Sequence, residues 1–205
     1  MTSRSSASVS LTRPPVAIQA GALAHLRYIR DTMEAAHAFT SVPGKGCVAM
    51  GIVGLAAAVL SSWPALAAHW FSIWLGAAVA AVVLVAFFLI GKAKAQGFTL
   101  WRSVARRFFL VLAPALLAGA VLTTALAATA ARDLIPGVWL LLYGAGLAAA
   151  GVFSLPVVSV TGCAFMLLGG LALAAPAQWA MALLALGFGG LHIVLGFIVW
   201  RRHGG

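Results

Sequence analysis

The sequence predicts an all-α integral membrane bundle of six transmembrane helices, preceded by a cytoplasmic amphipathic helix. Three observations carry that reading. From Gly46 to Trp200 the chain is a nearly continuous apolar run of Ala, Leu, Val, Gly and Phe. Hydrophobic residues make up 63% of the chain and charged residues 8%, with a mean hydropathy of +1.08. No soluble core needs so little polar surface, so the solvent for most of this protein is lipid. Finally, the basic residues cluster between the apolar runs, on one side of the topology those runs define.

Taken in order, residues 1–17 are rich in Ser, Thr and Pro and carry Arg4 and Arg13 but no acid. That composition predicts a disordered basic tail. Residues 18–43 differ. Ile18, Ala22, Leu26, Ile29, Met33 and Ala36 recur at spacings of three and four, one face of a helix. Arg27 and Asp31, and Arg30 and Glu34, stand at i,i+4 on its polar side. The segment is too polar to span, so it is expected to lie on the cytoplasmic membrane surface or to dock on a partner. Val42-Pro43-Gly44 then turns the chain into the membrane. The first apolar run starts too late for a cleavable signal sequence, so the first span is expected to remain as an anchor.

Residues 44–205 form the transmembrane domain. The expected spans are Cys47 to Leu60, Ala67 to Ile90, Phe108 to Ala130, Gly137 to Phe153, Val157 to Ala174 and Trp179 to Trp200. Each needs roughly 20 residues to cross the hydrocarbon. The first is short for that and calls for extension back to Gly44 or on to Trp63. Trp63-Pro64, Arg132-Asp133 with Pro136, Leu155-Pro156 and Pro176 punctuate the runs. With the N-terminus inside, every one of the thirteen basic residues except Arg132 is cytoplasmic. This positive-inside bias predicts a bacterial inner-membrane protein with both termini in the cytoplasm. The net charge of +10 is therefore read as topology and attraction to anionic headgroups, not as nucleic-acid binding. Trp63, Trp70, Trp139 and Trp179 are expected at the outer boundary, and Trp101 and Trp200 at the inner one, as interfacial girdles.

The sixth span holds the sharpest local signal. Ala182, Ala185, Gly189, His192 and Gly196 form one stripe of small residues around a mid-membrane histidine. Small residues let helices approach closely, so the stripe should face another helix. A similar stripe in the fourth span, Gly144, Ala148 and Gly151, is the suggested counterpart. His192 has two readings. One is an interhelical hydrogen bond with Thr161, Ser159, Tyr143 or a backbone carbonyl. The other is a proton relay or axial ligand, for which no Asp or Glu lies within any span. His69 is placed at the outer end of the second span, too far from His192 to share an ion.

No Gly-rich phosphate loop, HExxH or Gly-x-Ser-x-Gly is present, so no catalytic residue, metal ligand or cofactor is assigned. Cys47 and Cys163 make no redox or metal motif and read as packing residues. The loop KAKAQGFTLWRSVARR interleaves Lys92, Lys94, Arg102, Arg106 and Arg107 with Phe98, Leu100, Trp101 and Val104. With Arg27 and Arg30, these are the candidate contacts to anionic lipid or to a cytoplasmic protein partner.

Two stretches, HLRYIRDTMEAAHAFTSVPGKG and GFGGLHIVLGFIVWRRHGG, make the chain resemble a group of six-span bacterial membrane proteins with no assigned activity. The Pro-punctuated, Gly-rich pattern of GGLALAAPAQW is more distantly similar to HdeD-like acid-resistance membrane proteins. Neither resemblance implies functional residues. The leading expectation is a non-enzymatic membrane protein of structural or regulatory role, presenting a basic cytoplasmic face to lipid or a partner. The alternatives are a small transporter or channel lined by the sixth helix, and a membrane subunit binding a cofactor. A homo-oligomer is compatible with each.

Overall fold

The computed structural model describes residues 25–29, 43–95 and 104–203. Six helices in it are long and apolar enough to cross a membrane, and no strand occurs among the described residues. The chain is a multi-pass membrane protein. Contacts divide it into two units, residues 1–39 and 40–205. Of the first unit, residues 25–29 are helical and exposed. The rest of the amphipathic helix expected over 18–38, and the tail 1–17, lie outside the described residues.

The spans of the second unit are α1 (Gly44–Ser62), α2 (Trp70–Ala95), α3 (Val104–Ala127), α4 (Ile135–Gly151), α5 (Pro156–Ala174) and α6. The last runs as α-helix over Ala180–Leu184, as π-helix over Ala185–Leu191 and as α-helix again over His192–His203. α1 extends past both of its expected ends, with Pro43 as its N-cap. The prolines act as helix starters. Pro156 opens α5 and Pro136 stands in the first turn of α4, where a missing N–H costs nothing. Pro114 sits inside α3, which continues through it. Three 3-10 turns, Ala67–His69, Ala130–Leu134 and Ala177–Trp179, lead into α2, α4 and α6 at one end of the bundle. His69 lies exposed in the first of them.

Glycine decides which helices touch. α1 packs on α6 and α4 on α5 through glycines seven residues apart: Gly44 and Gly51 on α1, Gly189 and Gly196 on α6, Gly137, Gly144 and Gly151 on α4, Gly162 and Gly169 on α5. A spacing of seven keeps such a seam on one side of a helix. A Cβ on Gly44 would stand 2.9 Å from the Gly196 carbonyl oxygen, and one on Gly196 would stand 2.7 Å from that of Gly44. Gly144 and Gly162 are reciprocal in the same way at 2.7 Å. These distances leave room for hydrogen alone, so the backbones lie in direct contact.

This corrects the pairing suggested for the two small-residue stripes. Gly144, Ala148 and Gly151 of α4 meet Gly162 and Ser159 of α5, whereas Gly189 and Gly196 of α6 meet α1. Each helix with a seven-residue glycine row is closest to another helix with one, because only there can two backbones meet. α2 lies against α1, where Phe88 packs on Gly46, and α3 lies against α4, where Leu112 and Ala115 pack on Gly146. Both outer helices face mostly outward. Trp139 is not a simple girdle residue. Its indole N–H donates to Thr123 Oγ1 at 2.7 Å, and Thr123 donates to the Gly119 carbonyl at 2.6 Å, tying α4 to α3.

The seam generates a direct test on one helix. Gly162→Ala places a methyl against the backbone of Ala148 and is expected to cost about 1–3 kcal/mol as overpacking. Gly170 has nothing within 4 Å of its Cβ position. Gly170→Ala is expected to be neutral or to stabilise by up to about 1 kcal/mol through helix propensity. Reversible unfolding in bicelles measures both.

Candidate functional site

The polar centre of the bundle is His192. It is 2% exposed, although it lies deep in an apolar span. A polar ring at that depth must find partners inside the protein. Nδ1 lies 3.1 Å from the carbonyl oxygen of Phe188, one turn earlier on α6. Nε2 lies 2.7 Å from the hydroxyl of Tyr143 on α4. A carbonyl only accepts, so Nδ1 carries the proton; in the neutral ring Nε2 is the acceptor and Tyr143 donates. Of the four partners considered from sequence, Tyr143 and a backbone carbonyl are those used. Thr161 donates to the Val157 carbonyl and Ser159 to that of Ala148.

The π-helical turn prepares this geometry. In a regular α-helix the N–H of His192 would bond the Phe188 carbonyl. Here that N–H is directed to Gly189, and Phe188 accepts from the imidazole instead. Rings close the site on the other sides. Phe165 of α5 meets His192 edge-on at 5.2 Å between centroids, and Phe188 stacks on it at 6.1 Å. Tyr143 packs on Phe165 at 4.9 Å and Phe188 at 5.2 Å. Trp74 of α2 reaches Phe188 at 6.0 Å. Gly187 makes room, since a Cβ there would stand 2.5 Å from Leu140 and 3.1 Å from Phe165. On the α1 side, Gly54 rests on the Phe188 backbone, where a Cβ would stand 2.7 Å from the Phe188 carbonyl.

The hydrogen bonds run from Tyr143 to His192 to the Phe188 carbonyl and end there, because a carbonyl has no proton to pass on. Among the described residues no group of three His, Cys, Asp or Glu side chains could hold a metal. Two cavities, about 660 and 150 Å³, open near Trp63 and Trp70 at the end with the 3-10 turns, and His192 lines neither.

The candidate small residues divide. Gly189 and Gly196 are buried against α1, whereas Ala185 lines the larger cavity. The candidate basic contacts do not converge on His192. Lys94, Arg106 and Arg107 are exposed at the opposite end, with Lys45, Arg201 and Arg202. Arg27 is exposed in the first unit. Arg30, Arg102 and the side chain of Lys92 lie outside the described residues. Cys47 is buried and Cys163 exposed, both as free thiols. Comparison with family models, with curated proteins and with solved structures finds no match.

Sequence reasoning found His192 but not the ring cluster or the π-turn. The one signal that bears on its surroundings is the glycine row on α1, which marks a close helix contact without naming its partner.

A double-mutant cycle measures the central bond. Tyr143→Phe and His192→Phe are each expected to cost about 1–3 kcal/mol, since each leaves a buried polar partner unpaired. The double variant is expected to fall short of their sum by about 0.6 kcal/mol, the average for interhelical hydrogen bonds in membranes, and by no more than about 1.7 kcal/mol. Unfolding in bicelles supplies all three values.

Proposed function

We propose that this chain is a non-enzymatic protein of the bacterial inner membrane with a structural or regulatory role. Its basic end faces the cytoplasm and binds anionic lipid headgroups. The observation that supports this is the charge division between the two ends. Lys45, Lys94, Arg106, Arg107, Arg201 and Arg202 are all exposed at one end, with no acid there among the described residues. The other end carries Arg132 beside Asp133. Arg132 spends its charge on the faces of Trp70 and Phe71, at 5.6 and 5.2 Å. Long basic side chains at span ends reach the headgroup layer, where each contributes about 1 kcal/mol of attraction to an anionic surface.

The test is stability in vesicles of phosphatidylcholine, alone or mixed with phosphatidylglycerol. The wild type is expected to unfold at higher temperature in the anionic mixture, and added salt is expected to shrink the difference. The variant Lys94→Gln, Arg107→Gln, Arg202→Gln is expected to lose it. Equal stability of the wild type in both vesicles would overturn the reading.

A second reading, transport along α6, is favoured by the π-turn directly before His192, because such turns recur at functional sites. It requires water at His192. With Cys47 and Cys163 replaced by Ala, His192→Cys is expected to be fully protected from an aqueous thiol reagent in the folded protein. Rapid labelling would favour transport.

A further inference from the structure

We infer that the crevice between α1 and α6, at the end remote from the basic cluster, holds an acyl chain of a membrane phospholipid. The crevice has a volume of about 660 Å³. One turn deeper in the bundle than its lining, the two helices are in backbone contact, at Gly54 with Phe188 and Gly189. Ala58 and Val59 of α1 and Met181, Ala182 and Ala185 of α6 form the walls, and alanine is too short to refill the gap. Ser62, Trp63 and Gln178 form the mouth.

The lining has the polarity profile of a lipid. The walls are apolar and lie within the spans, where a lone water would find no partners. The mouth offers the amide of Gln178 and the indole N–H of Trp63 at the level of the hairpin turns, where glycerol esters lie. From Gln178 to Ala185 the crevice is about 10 Å deep at 1.5 Å per residue. That depth takes the upper part of one acyl chain. It does not take a helix of a second copy, which would need a groove running most of the ~30 Å hydrocarbon thickness. No charged residue lines the mouth, so the chain, not headgroup charge, supplies the binding. The site is independent of the basic end, and the leaflet it draws from is the opposite one.

Native mass spectrometry of the full chain, extracted in mild detergent and supplied with a long-chain phosphatidylethanolamine, tests the inference. The wild type is expected to retain a bound lipid. Ala185→Leu, which fills the inner end of the crevice, is expected to lose it. Ala182→Leu, at an exposed position on the wall, is expected to lose it too and keeps the test valid should Ala185→Leu misfold. Soluble glycerophosphoethanolamine, which has the headgroup and no chain, is expected not to bind. The Lys94→Gln, Arg107→Gln, Arg202→Gln variant is expected to keep the lipid, which separates this site from the proposed anionic-lipid contact. Retention by both leucine variants, binding of the soluble headgroup, or disulfide-linked dimers from Ala182→Cys would each overturn the inference.

Discussion

Helices in lipid gain nothing from hiding apolar side chains from one another, because the lipid tails are as apolar as leucine. What holds them is contact close enough for dispersion and for weak Cα–H···O bonds, and that requires backbones that can meet. The rest of this structure depends on that constraint. The glycine rows of α1 with α6, and of α4 with α5, create two seams in which carbonyl oxygens stand where a Cβ would otherwise be. α2 and α3, each set against one side of this core, carry few glycines and remain largely open to lipid. Their role is to cover α1 and α4 and to supply Trp74, Phe88 and Thr123 at points where the inner helices have gaps or unused hydrogen-bonding groups.

Close approach by α1 also shapes the polar centre. Gly54 presses on the backbone of α6 at Phe188, inside the π-turn. That turn frees the Phe188 carbonyl for the imidazole of His192, and the other ring nitrogen reaches across to Tyr143. Both nitrogens are thereby satisfied without water. With Phe165 and Phe188 against its faces and edges, His192 links α4, α5 and α6 and fixes their rotation. A group satisfied on both sides and screened by rings is well placed to specify a single packing. It is poorly placed to pick up an ion or pass on a proton, which is why the weight of the proposed function rests on the ends of the bundle.

The two ends differ in kind. At one, several exposed cations stand at the span termini, among them Lys45 over Trp200 and Arg201 over Phe197. At the other, Arg132 is folded onto Trp70 and Phe71, and 3-10 turns lead into the returning helices. A charge pattern of this sort sets orientation during insertion and attracts headgroups afterwards. The crevice between α1 and α6 belongs to the less charged end, so the two lipid contacts proposed here call on different leaflets and different parts of the lipid molecule.

Composition and periodicity by themselves determined the membrane class, the six spans, their approximate limits and the buried position of His192. Those properties are local: each follows from the transfer free energy of a short segment, and a segment reads the same whatever it packs against. The basic clusters likewise depend only on where the spans end. Which helices meet was decided by tertiary structure. Gly144 and Gly189 are equally small in the sequence, yet one found α5 and the other α1, because a glycine row specifies close contact and not the identity of the partner. The π-turn, the choice of Tyr143 over Thr161 and Ser159, and the open crevice at Ala182 and Ala185 follow from that pairing. Each depends on residues far apart in the chain whose separation is set only when the backbones close on one another, and no local pattern encodes that distance.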